Sequence, residues 1–265
     1  MYTITGADRI RDAVDVHARE VVSIVGGGGK TTLMFALAHE LMTAGQVVVT
    51  TTTTKIFPPS PAESTQVIVS RDTDEIIDLI EGKGTHWGHV TVAREVEPSS
   101  GKLCGIDTEL VRRLSDLASV TNVIVEADGA AGRSLKAPDR TREPVIPSIS
   151  ACVIPVIGID VVGCEMSDEF VFRAEIATAV TGMARGDTVS PRTVADLVTH
   201  DRGMVWNSPD GARVVPFINK VDGYESLPAA RMVAEEILCR GRRGIDRVVL
   251  GHVRRHPPVT EVISK

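Results

Sequence analysis

The sequence of 265 residues predicts an α/β fold of three layers, with helices on both faces of a mostly parallel sheet. Two observations predict it. Short apolar, β-branched runs alternate with stretches whose apolar residues recur at helical spacing, the order of repeated strand–helix crossovers. The first strong run, Val21-Val22-Ser23-Ile24-Val25, ends in four glycines, then Lys30, Thr31 and Thr32, then an amphipathic segment. That is the strand–loop–helix order of a phosphate-binding loop. The length suits one domain over residues 1–265, with a small hairpin region inserted within 64–105.

The elements follow in order. Ile10, Val14 and His17 fall at helical spacing and predict a short helix before the first strand, with His17 packed against it. At Gly26, Gly27, Gly28 and Gly29 the missing Cβ atoms let the backbone curl round phosphate oxygens with its amides inward. Lys30 then reaches the terminal phosphates, the Thr31 hydroxyl sits on Mg²⁺, and the helix from Thr32 onward adds the positive end of its dipole. The position six before Lys30 is Ile24 rather than glycine, so the loop is a shortened G-x-x-G-K-T-T, similar to that of the Mur ligases. Leu33, Leu37 and Leu41 line one helix face, and Gly45 ends it.

Residues 46–49 form a short buried strand that runs into Thr50–Thr54 and Lys55. The threonines either extend the strand or turn hydroxyls, Thr52 among them, toward the γ-phosphate and Mg²⁺; Lys55 would offset developing charge. Residues 56–61, rich in proline, read as a loop over the site. A strand at 67–69, a helix at 72–82, a strand at 89–93 and a turn at 98–101 make up the expected insertion. Asp107 caps a helix whose Leu110, Val111 and Leu114 share a face.

The strand Asn122–Val125 ends in Glu126-Ala127-Asp128. In extended geometry the two carboxylates point to one side, as metal binding and orientation of an attacking water require. Arg133 and Lys136, in the long loop that follows, are either charge stabilisers or solvated surface. A strand at 151–157 and helices at 173–180 and 191–198 come next, the last with Ser190 as cap and Pro191 at its first position. A strand interrupted by Pro216 leads to Asn219-Lys220-Val221-Asp222. In GTP-binding proteins the aspartate of N-K-x-D accepts from the guanine ring N–H and amine, while Asn and Lys brace ring and loop. A helix at 226–238 and a last strand at 248–250 close the chain, and the basic tail Arg254-Arg255-His256 reads as solvated.

Composition narrows the function. A net charge of −6 and only 3% aromatic residues argue against nucleic acid as a partner. No apolar run nears the roughly 20 residues of a membrane span, and the N-terminus lacks a basic-then-apolar signal. Four scattered cysteines without C-x-x-C spacing fit reduced thiols, so the expected location is the cytoplasm.

The run Val25–Thr32, the Thr50–Lys55 segment, Glu126–Ala130, Asn219–Asp222, Leu135-Lys136-Ala137-Pro138, Glu143–Pro147 and Val156-Ile157-Gly158 together resemble the YqeC family. The similarity keeps motif order from about residue 18 to 255. It implies a P-loop NTPase-like protein that serves as an accessory factor for selenium-dependent molybdenum hydroxylases. A molybdenum hydroxylase or its cofactor-maturation proteins are then the implied partners. The residues themselves leave three activities open. The leading one is Mg²⁺-dependent GTP or ATP hydrolysis. The others are transfer to, or ligation of, a small acceptor, and nucleotide-dependent scaffolding without turnover.

Overall fold

The computed structural model describes residues 2–242 and 244–265. After a short edge strand β1 (Thr3–Thr5) and helix α1 (Ile10–Ala13), strand β2 (Val21–Gly26) feeds the glycine loop and helix α2 (Lys30–Thr43). Then come β3 (Val48–Thr52), β4 (Lys55–Ile56), β5 (Val67–Val69), α3 (Thr73–Trp87) and β6 (His89–Ala93). β7 (Glu95–Val96), β8 (Leu103–Cys104), α4 (Thr108–Asp116), β9 (Asn122–Glu126), β10 (Leu135–Lys136) and β11 (Ser150–Gly158) follow. The last part holds β12 (Val171–Phe172), α5 (Ala174–Thr181), α6 (Pro191–Thr199), β13 (Arg213–Val214) and β14 (Phe217–Asn219). It ends with α7 (Gly223–Cys239), β15 (Arg247–Gly251) and β16 (Val259–Ser264).

One large sheet carries the fold, in the order β1-β16-β15-β14-β11-β2-β9-β3-β6-β5, with β13 also on β11. Only β1–β16 and β15–β16 pair antiparallel within it. Residues of β2 show the layering, because successive side chains on a strand point to opposite faces. Val22 and Ile24 pack with Ile10, Leu33, Leu37 and Leu41 of α1 and α2. Val21 meets Ile76, Ile80, Leu110 and Leu114 of α3 and α4, while Val25 meets Val194, Leu197, Val233 and Ile237 of α6 and α7. The three-layer α/β/α expectation therefore holds. No helix among the described residues is long and apolar enough to cross a membrane.

Three expectations change. The stretch 64–105 is not set apart from the main sheet: β5 and β6 are its parallel edge, joined through α3, which Asp72 caps. Only β7 and β8 stand off, forming with β4 a separate three-stranded antiparallel sheet. The chain does not end its sheet at residue 250, since β16 turns back beside β15 and β1 joins its far edge. Helix α1 stops at Ala13, which leaves His17 exposed rather than packed. Other local signals stand as read: Gly45 at φ 82° just past α2, Asp107 capping α4, and a Ser190–Thr193 capping box with Pro191 starting α6.

Candidate functional site

The glycine loop sits at the carboxyl edge of the sheet, between β2 and α2, flanked by the ends of β9, β11 and β14. Close packing dictates its glycines. At Gly28 (φ +79°) a Cβ would stand 2.3 Å from the Gly158 amide nitrogen, and at Gly29 (φ +123°) 2.4 Å from Asn219 Nδ2. No side chain fits either position.

The loop amides divide into two sets. Gly26 N donates to both Asp128 carboxylate oxygens at 3.1 and 3.0 Å, Gly27 N to the Val156 carbonyl and Gly28 N to the Arg133 carbonyl. Those three bind protein rather than facing outward, a difference from the cradle expected of all four glycines. Intrahelical bonding begins at Leu33 N, which donates to Gly29 O, so the amides of Gly29, Lys30, Thr31 and Thr32 have no acceptor among the described residues. Four such N–H groups at the start of a 14-residue helix have the geometry and dipole to receive an anion.

Lys30 is 5% exposed and lies behind this rim. Its Nζ donates to Gly26 O at 2.8 Å and stands 3.3 Å from Asp128 Oδ1 and 3.6 Å from Glu126 Oε1. Burial acts to lower its pKa, but Asp128 and Glu126 outweigh burial and raise it, so the ammonium stays charged. Thr31 Oγ1 donates to Glu126 Oε2 at 2.6 Å. Burial raises the Glu126 carboxyl above its ordinary range, against the pull of Lys30 and Thr31. Both partners rise because Asp128 is the stronger hold on Lys30 while Glu126 is governed by its burial.

Glu126 and Asp128 do face the same lysine, yet only Glu126 lines the cavity in front of the loop. That cavity, of about 330 Å³, is bounded by residues 28–32, Glu126, Lys55, Phe57, Lys102 and residues 129–133. A second one, of about 370 Å³, shares Gly28, Gly29, Thr32 and Gly132 with it and continues past Asn219, Lys220, His252, Val253 and Arg254. Each is of the size of a small-molecule site. A larger hollow of about 620 Å³ opens at the amino ends of β13 and β15, but its Arg213, Arg240 and Arg242 are already paired with Glu20, Asp196, Glu236 and Asp201. Among the described residues, none of its arginines is left unpaired for an anionic ligand.

The threonine run serves the sheet first. Thr50 Oγ1 lies 3.0 Å from His89 Nε2 and 2.9 Å from Thr91 Oγ1, and Thr51 donates to Val92 O. Thr52 donates to the Glu126 carbonyl at 2.7 Å and accepts from Thr54 N, so its hydroxyl anchors the strand end that carries Glu126. Lys55 reaches the cavity wall, its ammonium bonded to Glu97.

In the Asn219–Asp222 segment the roles diverge. Asn219, 5% exposed, donates from Nδ2 to Gly28 O at 2.8 Å and accepts from Val253 N at 3.1 Å, tying β14 to the glycine loop. Lys220 (φ 63°) turns back to Ser134 Oγ and Asp160 Oδ2, at 2.7 and 2.8 Å. The Asp222 carboxylate is half-exposed, lies 2.7 Å from Arg255 and 3.6 Å from His252, and does not line the cavity. The basic tail is thus not simply solvated.

Sequence reasoning left Lys136 between two readings, and the second of them, solvated surface, is wrong. It is fully buried, 3.1 Å from Asp128 Oδ2 and 2.9 Å from Glu143 Oε1. Glu143 also accepts from Gly129 N at 2.9 Å and lies 2.6 Å from Arg173; burial opposes ionisation, but Lys136, the Gly129 amide and Arg173 prevail and lower its pKa. A lysine within a loop lacking periodicity gives no sign of burial, and its acceptors lie in two other segments, Asp128-Gly129 and Glu143. Only the family pattern, through Leu135-Lys136-Ala137-Pro138 and Glu143–Pro147, pointed here.

Comparison with known proteins places the chain in a family. The model of the family described as YqeC protein matches residues 22–175, which include the loop, Glu126, Asp128, Lys136 and Glu143. A protein of Escherichia coli (strain K12), described as uncharacterised protein YqeC, is 31% identical over 256 residues, 93% of each chain. The chain belongs to the YqeC family. The match to the relative extends well past the family model, so it also spans most of the sheet that carries Asn219.

Proposed function

We propose that this protein binds a nucleoside triphosphate with Mg²⁺ at the loop of residues 26–32 and hydrolyses it. One observation carries the reading: four amides with no acceptor among the described residues, a buried charged lysine and the Thr31–Glu126 pair all converge on one cavity edge. The amides and Lys30 suit the β- and γ-phosphates, with Lys30 exchanging its Gly26 carbonyl and Asp128 contacts for phosphate oxygens. The hydroxyl of Thr31 and the carboxylate of Glu126 are hard oxygen donors of the kind that hold Mg²⁺ together with phosphate oxygens and water. When bound, Mg²⁺ neutralises charge that develops on the phosphates. Phe57, Lys55 and Lys102 wall the phosphate end, and the cavity past Asn219 takes ribose and base.

Guanine is the proposed base, supported by the Asn219-Lys220-Val221-Asp222 motif at the end of β14 and by Asn219 bracing the loop. Asp222 must then give up Arg255 to accept from the base. Family membership supports a cytoplasmic accessory role in maturing a selenium-dependent molybdenum hydroxylase, with that enzyme or its cofactor-maturation proteins as partner.

A transfer reaction keeps one observation of its own: Lys102 and Arg133 extend the cavity wall beyond the loop, where an anionic acceptor would be met. Product analysis decides. Phosphate released from GTP by purified protein with Mg²⁺ and no acceptor supports hydrolysis. Turnover only with an acceptor points to transfer, and tight binding without turnover to a scaffold.

A further inference from the structure

Among the described residues Lys30 contacts Gly26 O, Asp128 Oδ1 and Glu126 Oε1. Reaching a phosphate means leaving Asp128, whose side chain is 2% exposed. A buried carboxylate stripped of its cation is costly, and that cost would be subtracted from nucleotide affinity. The structure holds a second cation in place. Lys136 Nζ lies 3.1 Å from the other Asp128 oxygen and also contacts Gly129 O at 2.6 Å and Glu143 Oε1 at 2.9 Å.

The charges partition cleanly. Lys30, Lys136 and Arg173 balance Glu126, Asp128 and Glu143, three against three. If Lys30 and Glu126 turn to the nucleotide and its metal, Lys136 and Arg173 remain with Asp128 and Glu143, two against two. The Lys136–Glu143 pair also grips both polar groups of Gly129, through its carbonyl and its amide, and residues 129–133 form the cavity wall.

We infer that Lys136 is a positioning residue for nucleotide binding: by neutralising Asp128 from behind, it releases Lys30 to the phosphates. The inference rests on the nucleotide reading above. Without Lys136 the cluster carries two cations against three carboxylates, and Lys30 is pinned to Asp128. Asp128→Asn removes that excess negative charge while leaving an amide oxygen to accept from Gly26 N, so it restores balance, two against two.

The test is a double-variant cycle with Lys136→Met, Asp128→Asn and the pair together, reading GTP dissociation constants by titration alongside thermal unfolding. The single Lys136→Met variant should bind about ten- to hundredfold more weakly than wild type, the effect of one stranded buried charge. The double variant should recover most of that loss. A purely structural lysine would give the opposite: two substitutions in one buried cluster, and a double variant no better than Lys136→Met. If Lys136→Met does not fold, the double variant carries the test, and a double variant that fails to fold or to bind GTP overturns the inference. Wild-type protein that binds no nucleotide refutes the proposed function instead, whereas wild-type binding shared equally by Lys136→Met refutes only the role of Lys136.

Discussion

Replacing Asn219 with alanine should destabilise the fold and weaken nucleotide binding together, because one side chain joins β14, the glycine loop and the segment after β15. Its amide satisfies Gly28 O at 2.8 Å and its carbonyl accepts from Val253 N at 3.1 Å, at a position 5% exposed. Truncation strands both backbone groups. Each lost partner costs about 1–2 kcal/mol, in the lower part of the range because water can enter from the adjoining cavity. The sum is about 2–4 kcal/mol, which for a chain of this size lowers Tm by roughly 4–16 °C. Gly28 loses its tether as well, so the orphan amides of the loop are held less firmly and GTP affinity should fall about tenfold or more. Denaturant unfolding and nucleotide titration on the same preparation measure both effects. A stability loss below about 0.5 kcal/mol with unchanged affinity would show that the tether carries no load, and the reasoning would fail.

Three further outcomes are expected. Glu126→Gln keeps a partner for Thr31 but loses the negative oxygen, so half-maximal Mg²⁺ for turnover should rise at least about tenfold; an unchanged Mg²⁺ titration would remove Glu126 from the metal. His89 is buried against Thr50 and near His39, and burial first, then His39, depresses its pKa to about 4 from 6.5. A depressed folded-state value means its contribution is whole above pH 6.5, declines as pH falls toward 4, and is constant below; the decline reaches about 3 kcal/mol. Against wild type, His89→Gln should flatten that part of the stability–pH curve, and a parallel curve would contradict the assignment. For the base, GTP should outcompete ATP by roughly tenfold or more, Asp222→Asn should erase the preference, and Arg255→Ala should enlarge it by freeing Asp222; equal affinities in all three proteins would make the motif a surface turn.

What the sequence revealed and what it hid follow from the range of the interactions. The loop was legible because its signature is local, consecutive glycines and then lysine and threonine at the helix start, although the Cβ collisions that demand Gly28 and Gly29 are with the distant Gly158 and Asn219. The alternation of strands and helices was legible for the same reason, being written as periodicity. β16 was missed because Val259-Thr260-Glu261-Val262-Ile263-Ser264 is neither a strict alternation nor a continuous apolar run, and it follows a proline pair that breaks the signal. The placing of Asp128 was hidden too. Spacing puts it near Glu126, but only the fold shows that it lies beneath the loop, held by the Gly26 amide and Lys136, while Glu126 faces the cavity. The threonines show the reverse ambiguity: strand propensity and ligand-directed hydroxyls look alike in sequence, and His89, Thr91, Val92 and Glu126 turn out to hold them.

The central claim is that the loop of residues 26–32 holds a triphosphate through Lys30. Equilibrium binding of a nonhydrolysable GTP analogue, with Mg²⁺, to wild type and to Lys30→Ala tests it most directly. The account predicts saturable binding by the wild type that weakens when Mg²⁺ is chelated, and a loss of about tenfold to a thousandfold in the variant. Equal binding by the two proteins, or none by either, would contradict it.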